Sequence, residues 1–413
     1  MDVPGSLGYS VLGDESLEFV RSPRDYIKKR QESHGAVFQT RLLNKHHIIL
    51  TSSAAVHELL TEKSSNFTMG YKEFMLELFG ENIIFVDGDS WSNLRRSMEA
   101  MFSQDSIGQC MDLIRRIISE YLSKIKTGKS VVVYKLFKEM VTRITIALFL
   151  DKDISDQDAR EISELLTVHW RGIISVPLPI RVPWLSWKSG YSKALTAKDR
   201  LLVIIREKLN SNPSSIASGV LESVADTELV ARNLLLFVSA LIPKAMASLL
   251  TSCVIELSKP ENLMWRFVME DDSKLEHIIL EVERLWPPFF GGRRVCTQTC
   301  EVGGYVIPKD CPVAYVSYSA NRDKTVFTNA DSFKPERWSL ENSEDKDKVW
   351  TFGSGPRNCI GHLLSSGILK ECLQELSRRF TWQLAPGQNL AYKVLPVSRP
   401  KDDISVVFSD KQP

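Results

Sequence analysis

The stretch WTFGSGPRNCIGHLLSSGILK, residues 350–370, joins a glycine-rich loop to an amphipathic helix through a single cysteine, Cys359. Gly353 and Gly355 permit tight backbone conformations, and Gly361 permits a close approach just after the cysteine. After Cys359, apolar residues recur three and four positions apart, which predicts a helix. The sulfur is therefore expected at a helix N-terminus, where backbone amides and the helix dipole favour a thiolate.

An anionic sulfur in a closed loop suits a soft metal ion. Arg357, two residues before Cys359, could face a haem propionate, so a haem iron fits this loop. The alternative is an ordinary buried cysteine in a turn before a helix. The five fixed positions from Phe352 to Gly361 argue against that alternative, because an isolated cysteine would not require them.

Composition and charge exclude several classes of protein. The 413 residues include 52 Lys and Arg against 51 Asp and Glu, so the net charge gives no reason to expect a nucleic acid partner. With 43% hydrophobic and 25% charged residues, the composition is typical of globular proteins. The seven cysteines are an odd number without a C-x-x-C pair, which indicates reduced thiols rather than a disulfide framework.

Hydrophobic periodicity predicts a mainly α protein with small β-sheets. Apolar residues three and four apart predict helices over 52–62, 73–80, 91–103, 108–126, 134–150, 157–169, 193–209, 226–258, 273–286 and 361–380. Short apolar runs predict strands over 36–42, 46–51, 293–299, 311–319 and 403–409. The apolar segment 226–258 contains Pro243 and Lys244 near its centre, which favours a buried helix over a membrane span.

The spacing Phe352-x-x-Gly355-x-Arg357-x-Cys359-x-Gly361 resembles the cysteine-ligand signature of the cytochrome P450 superfamily, and every fixed position of that signature is present. The resemblance implies haem b as the cofactor, with Cys359 as its axial thiolate and the ligand to the metal. It also implies that Phe352, Arg357 and Gly361 lie against the cofactor.

The resemblance extends over nearly the whole chain and implies one haem-thiolate domain over residues 1–413. Its parts would be an entry with the first strands at 1–50, a central distal helix at 226–258, and the cysteine-ligand loop with its following helix at 350–380. No linker or internal repeat argues against a single domain.

Two further motifs resemble the same family. EVER, residues 281–284, matches its E-x-x-R, and FKPERW, residues 333–338, matches its P-E-R-F/W segment. The resemblance implies that Glu281, Arg284 and Arg337 form an ion-paired triad behind the haem. Such a triad is buried and structural, so the removal of one partner should be strongly destabilising.

Three residues outside the cysteine loop resemble the family's ligands for the haem propionates. Trp91 and Arg95 match its W-x-x-x-R, and residues four apart share one face of a helix. The segment PPFFGGRRV, residues 287–295, resembles the one in which an arginine holds the other propionate. Alignment on its two prolines selects Arg294, with Arg293 as the alternative. A solvated surface charge is the competing interpretation for each arginine.

The distal helix departs from the family pattern. The family has A/G-G-x-D/E-T-T, whose acid and alcohol deliver protons during dioxygen activation, whereas this chain has ALIPKA at 240–245. Ala240, Pro243 and Lys244 are therefore the candidate distal residues, and neither the acid nor the alcohol is among them. Pro243 has no amide hydrogen, so a kink or an opened turn is still expected.

Lys244 allows several interpretations, because its charge is costly in an apolar pocket unless it is paired. The side chain could extend outwards to solvent. If it faces inwards, it could anchor an acidic substrate such as a fatty acid, or ligate the iron.

The resemblance implies a haem-thiolate monooxygenase that inserts one oxygen atom from O2 into a lipophilic small molecule, with carboxylate-bearing molecules among the candidates. Electrons would come from an NADPH–cytochrome reductase or a ferredoxin. The N-terminal entry and the PERW segment are loosely similar to the clan that modifies sterols, retinoids and plant hormones, which suggests lipid or terpenoid metabolism.

The missing acid and alcohol leave two alternatives open. One is a peroxide-dependent or hydroperoxide-rearranging haem enzyme that needs no reductase, and the other is a haem-binding protein without turnover. The N-terminal entry also resembles the segment that follows the membrane anchor in endoplasmic-reticulum members. If an anchor has been removed, we therefore expect the protein at the endoplasmic-reticulum membrane surface, with peripheral membrane contact. Otherwise, we expect it in the cytoplasm.

Overall fold

The computed structural model describes residues 1–9, 12–174, 189–211, 213–339 and 346–411. Backbone contacts group the chain into two compact units. The first unit comprises Met1–Gly70, Ser252–Cys359 and Asn389–Asp402, and the second comprises Tyr71–Thr251, Ile360–Gln388 and Asp403–Pro413. The expectation of a single domain over 1–413 stays a prediction.

Helices dominate the described chain, which confirms the predicted fold class. In chain order they are α1 (Ser16–Arg21), α2 (Pro23–His34), α3 (Ser53–Leu60), α4 (Lys72–Phe79), α5 (Gly88–Glu99), α6 (Gln104–Ser123), α7 (Val133–Phe149), α8 (Asp156–Ile174), α9 (Gly190–Ser211), α10 (Ser215–Ser223), α11 (Thr227–Leu236), α12 (Ile242–Glu256), α13 (Asp272–Leu285), α14 (Ser317–Ala320) and α15 (His362–Arg379). Each helix with a strong apolar stripe lies close to its predicted range.

The strands are short and form small sheets. In chain order they are β1 (Val37–Leu42), β2 (Lys45–Leu50), β3 (Phe67–Met69), β4 (Ser130–Val132), β5 (Gly292–Cys296), β6 (Cys300–Val302), β7 (Tyr305–Ile307), β8 (Pro312–Tyr315), β9 (Phe380–Leu384), β10 (Tyr392–Lys393), β11 (Arg399–Pro400) and β12 (Ser405–Asp410). The strand predicted over 311–319 is wrong in its second half. Strand β8 ends at Tyr315, and the chain turns into α14, where the N–H of Ala320 donates to Val316.

The first unit is built on a five-stranded sheet in the order β1-β2-β8-β5-β3. Strands β2 and β8 are parallel, and the other neighbouring pairs are antiparallel. Strand β5 is paired on both sides, so that Arg294 lies between Val313 of β8 and Met69 of β3. This interior position in the sheet fixes the backbone of the strand that contains Arg294.

The second unit is mainly helical and has a three-stranded sheet in the order β4-β12-β9. Phe102, Phe149 and Phe237 form an aromatic cluster in its core, with ring centroids 5.3–5.9 Å apart. This cluster lies beside the distal helix, because Phe237 directly follows α11.

The distal helix is interrupted where the sequence predicts an opened turn. Helix α11 passes into a π-helical turn, Phe237–Leu241, before α12 begins at Ile242. Pro243 has no N–H to donate to a carbonyl in the preceding turn, which explains why the helical ladder opens there. By length and composition alone Thr227–Glu256 could cross a membrane, but 81% of its most apolar window is buried inside the protein.

Candidate active site

The loop that contains Cys359 is closed by its own backbone. Trp350–Phe352 and Gly355–Arg357 each form a single 3-10 turn. The N–H of Cys359 donates to the carbonyl of Phe352 at 2.8 Å, and the N–H of Asn358 donates to that of Gly355 at 3.1 Å. Helix α15 begins three residues after the cysteine, so the sulfur lies just before a helix N-terminus, as the sequence predicts.

Two glycines of the loop differ in what requires them. Gly355 has a positive φ of 66°, and a Cβ there would overlap the carbonyl oxygen of Leu60, so a side chain is excluded by the protein itself. Gly361 has an ordinary φ of −90°, and a Cβ there would meet no protein atom closer than Phe102 at 3.6 Å. The protein therefore does not explain a glycine at 361, whereas a planar group against the loop would.

The donors present fit a haem better than a bare metal ion. All seven cysteines are thiols, and Cys359 is the exposed one. Within the described ranges no group of three or more His, Cys, Asp or Glu side chains could hold a metal ion. A single soft sulfur therefore suits an iron whose other ligands come from a macrocycle.

The predicted triad residues form a buried ion-paired network in the first unit. Arg284 binds Glu281 in a bidentate manner, with Nη2 2.8 Å from Oε1 and Nε 3.0 Å from Oε2, and both side chains are fully buried. Arg337 adds a contact of 3.2 Å from its Nε to Oε1 of Glu281. The sequence did not predict two further donors to the Glu281 carboxylate. They are the Trp338 indole N–H, 3.1 Å from Oε2, and the Lys334 backbone N–H, 2.8 Å from Oε1.

The candidate propionate ligands have different environments. Trp91 and Arg95 lie on one face of α5, and the Nε of Arg95 pairs with Glu99 at 2.7 Å. Arg294 is buried, with its guanidinium 5.5 Å from the ring centroid of Tyr315, while Arg293 is only half-buried. The alternation along β5 therefore favours Arg294 over Arg293 as the arginine that faces the interior.

The distal residues lie around the opened turn of the second unit. Ala240 belongs to the π-helical turn, although its side chain is outside the described part of the structure. Pro243 is buried and Lys244 is half-buried. The Nζ of Lys244 lies 4.0 Å from the ring centroid of the buried Trp170 in α8, a cation–π contact. Lys244 therefore packs against α8 instead of extending fully into solvent.

Two groups near this turn were not singled out from the sequence. The hydroxyl of Ser239 is buried in the π-helical turn and has no hydrogen-bond partner among the described residues. The pKa of His169 is lowered to about 4, chiefly by burial, with further contributions from Lys198 and Lys244. The imidazole is therefore neutral near pH 7. The sequence signal for Ser239 is its position four residues before Pro243, where the helical ladder opens.

The sequence model of the family described as Cytochrome P450 matches residues 15–215 and 273–408. This chain belongs to the cytochrome P450 family. Cytochrome P450 26B1 of Xenopus tropicalis is 27% identical over 98% of this chain and 86% of its own length. The structure titled "Retinoic acid bound cyanobacterial CYP120A1" is 25% identical, covers 99% of both chains and has a TM-score of 0.87. The cytochrome P450DA haem domain, at 17% identity and TM-score 0.85, shares the fold.

Membership of this P450 family has direct consequences for cofactor and chemistry. The family and its fold imply haem b with an axial cysteine thiolate, and an oxidoreductase that is generally a monooxygenase acting on a lipophilic substrate. The family match leaves out residues 216–272, which include α11, the π-helical turn and α12. The segment that the match omits is thus the one in which the sequence departs from the family pattern.

Replacing Arg284 by alanine should lower the free energy of unfolding by about 3–5 kcal/mol, because the buried Glu281 carboxylate would lose its bidentate partner. Urea denaturation measures this change. The control is Arg115→Ala, which removes exposed ion pairs with Asp112 and Glu371 and should cost less than about 1 kcal/mol. Equal losses in the two variants would contradict a structural role for the triad.

Proposed function

We propose that this P450 is a monooxygenase for a lipophilic carboxylic acid of the retinoid type, with Cys359 as the axial ligand of its haem. It would use O2 and electrons from a reductase or a ferredoxin. The observation that supports this most strongly is the closed cysteine loop, in which a backbone hydrogen bond to Phe352 fixes an exposed sulfur just before α15. When bound, the haem supplies the oxidation chemistry.

The protein's own contribution on the cysteine side is to hold and orient the cofactor. Cys359 would provide the thiolate, and Phe352 and Arg357, both half-buried in the same loop, would lie against the macrocycle. We assign one haem propionate to Arg294 and the other haem propionate to Trp91 and Arg95. The interior position of β5 in its sheet supports Arg294, because a strand paired on both sides holds its side chains in place.

The second unit supports the proposed substrate class. The distal segment from Phe237 to Ser252 contains mostly apolar residues, and Lys244 adds a cation beside the buried Trp170. A long apolar molecule with one terminal carboxylate matches that combination. The related structure with retinoic acid bound, a molecule of this kind, supports the same substrate class.

Proton delivery would differ from the family pattern. Pro243 and Lys244 occupy the positions of the family's acid and alcohol. We assign the role of proton donor to the Ser239 hydroxyl, since it is buried at the opened turn with no hydrogen-bond partner among the described residues. The same departure favours the second candidate function, oxidation by peroxide or rearrangement of a hydroperoxide, which would not need that relay.

Cys359→Ala should abolish the Soret band that is typical of thiolate ligation in the reduced, carbon monoxide-bound protein, because the axial sulfur is gone. Difference spectroscopy of the haem-loaded protein measures this band. The control is Cys110→Ala, in which a buried cysteine of α6 is removed and the band should persist. A histidine-type band in the unmodified protein would overturn the assignment.

Product formation should require O2 with NADPH and a reductase or ferredoxin system, and Ser239→Ala should slow that turnover by about 10²-fold because the proposed proton donor is gone. Product analysis by mass spectrometry under each supply of oxidant measures both. Turnover with peroxide alone would select the second candidate function. No product under any supply would indicate haem binding without turnover.

Lys244→Met should weaken the binding of retinoic acid at least about tenfold, because the loss of a charged hydrogen-bond partner costs about 1.5–3 kcal/mol. The binding of retinol, which lacks the carboxylate, should not change. Titrations followed by the haem spectral shift measure both affinities, and Lys244→Arg, which retains the charge, is the matched control. If the two ligands are affected equally, Lys244 does not bind the carboxylate.

A further inference from the structure

Three of the seven cysteines lie together at one end of the sheet of the first unit. Cys296 ends β5, Cys300 begins β6, and Cys311 directly precedes β8. The backbone N–H of Cys296 donates to the carbonyl of Cys311 at 3.0 Å. All three pack in one apolar cluster, and none belongs to the cysteine loop or the ion-paired network. The haem site and the proposed function therefore leave this group unused.

The thiols of Cys296 and Cys300 are direct neighbours. The sulfur of Cys296 donates to the carbonyl of Gln298 at 3.0 Å and lies 3.7 Å from the carbonyl oxygen of Ile307. Ile307 is the cross-strand partner of Cys300 in the β6–β7 pair. The sulfur thus reaches the strand pair that contains Cys300, and Cys300 lies close enough to raise the pKa of Cys296.

The pair is asymmetric in its exposure. Cys300 is half-buried, whereas Cys296 and Cys311 are buried. Burial, followed by the neighbouring Cys300, raises the pKa of Cys296 to about 12, so that this thiol is neutral near pH 7. An oxidant from solution therefore meets Cys300 first, and contact with Cys300 gives Cys296 a high effective concentration for a second step.

We propose that Cys300 and Cys296 form a reversible disulfide when the protein is exposed to a peroxide. Hydrogen peroxide oxidises the Cys300 thiol to a sulfenic acid and releases one water. The Cys296 sulfur then attacks that sulfur, and the thiol proton of Cys296 passes to the departing hydroxyl, which leaves as a second water. Together the two thiols lose two electrons and two protons, and the peroxide is reduced to two waters. A dithiol reverses the bond by exchange.

The bond would tie the end of β5 to the start of β6. Arg294 lies two residues before Cys296 on β5, so oxidation would restrain the strand that contains the candidate propionate ligand. The bond would enclose only three residues, 297–299, and its effect is therefore local.

The arrangement of tryptic sites makes the test direct. Cleavage after Arg294, Lys309 and Arg322 yields one peptide, 295–309, with Cys296 and Cys300, and another, 310–322, with Cys311. The folded, haem-loaded protein is treated with hydrogen peroxide, its remaining thiols are alkylated in denaturant, and the peptides are weighed. Peptide 295–309 should carry no alkyl group and should be lighter by two hydrogen atoms than the same peptide with two free thiols. If dithiothreitol is added before alkylation, both cysteines should be alkylated.

Two variants complete the experiment. Cys311→Ser should still form the bond within peptide 295–309. Cys300→Ser, at the partly exposed position, should leave Cys296 open to alkylation, and its Soret band shows that it is folded. A cross-link between peptides 295–309 and 310–322, or full alkylation of both cysteines after oxidation of the folded protein, would overturn the proposal.

Discussion

The buried carboxylate of Glu281 is the constraint on which the first unit depends. A charge removed from water is tolerated only when its partners satisfy it fully, and here two arginines, an indole N–H and a backbone N–H do so. Arg284 also donates to the carbonyls of Asn321, Ala330 and Ser332. If the chain between α14 and Trp338 moved away from α13, the Glu281 carboxylate would therefore lose Lys334, Arg337 and Trp338 and keep only Arg284.

The same network extends to the cysteine loop. The side chain of Asn321 accepts the N–H of Trp350 and donates to Thr351, whose hydroxyl donates to the carbonyl of Glu283 on α13. Further along the loop, Gly355 packs against the backbone of Leu60. Two separate contacts, one at Trp350 and Thr351 and the other at Gly355, thus hold the backbone of the loop that leads to Cys359. Such preorganisation lowers the entropic cost of cofactor binding.

How much the sequence predicted depends on whether a feature is local. The apolar stripe after Cys359 predicts α15, and the spacing of EVER and PERW predicts the ion-paired triad. Helix α2 was missed because only Tyr26 and Ile27 of its twelve residues are buried, which leaves no stripe to detect. The contact between Cys296 and Cys300 depends on the pairing of β6 with β7, and the place of Lys244 depends on Trp170 in a separate helix. The spacing of residues along the sequence predicts neither of these contacts.

Proline and lysine together change what the distal turn can do. In the family pattern an acid and an alcohol deliver protons during dioxygen activation. Here Pro243 lacks the N–H that would continue the helical ladder, and this backbone effect accounts for the π-helical turn. Residue 244 is then not needed to open the helix. A lysine that packs against Trp170 suits the binding of a carboxylate better than the donation of a proton. Because an ammonium group is a weak acid near neutral pH, the proposed function assigns proton transfer at this turn to the Ser239 hydroxyl and not to Lys244.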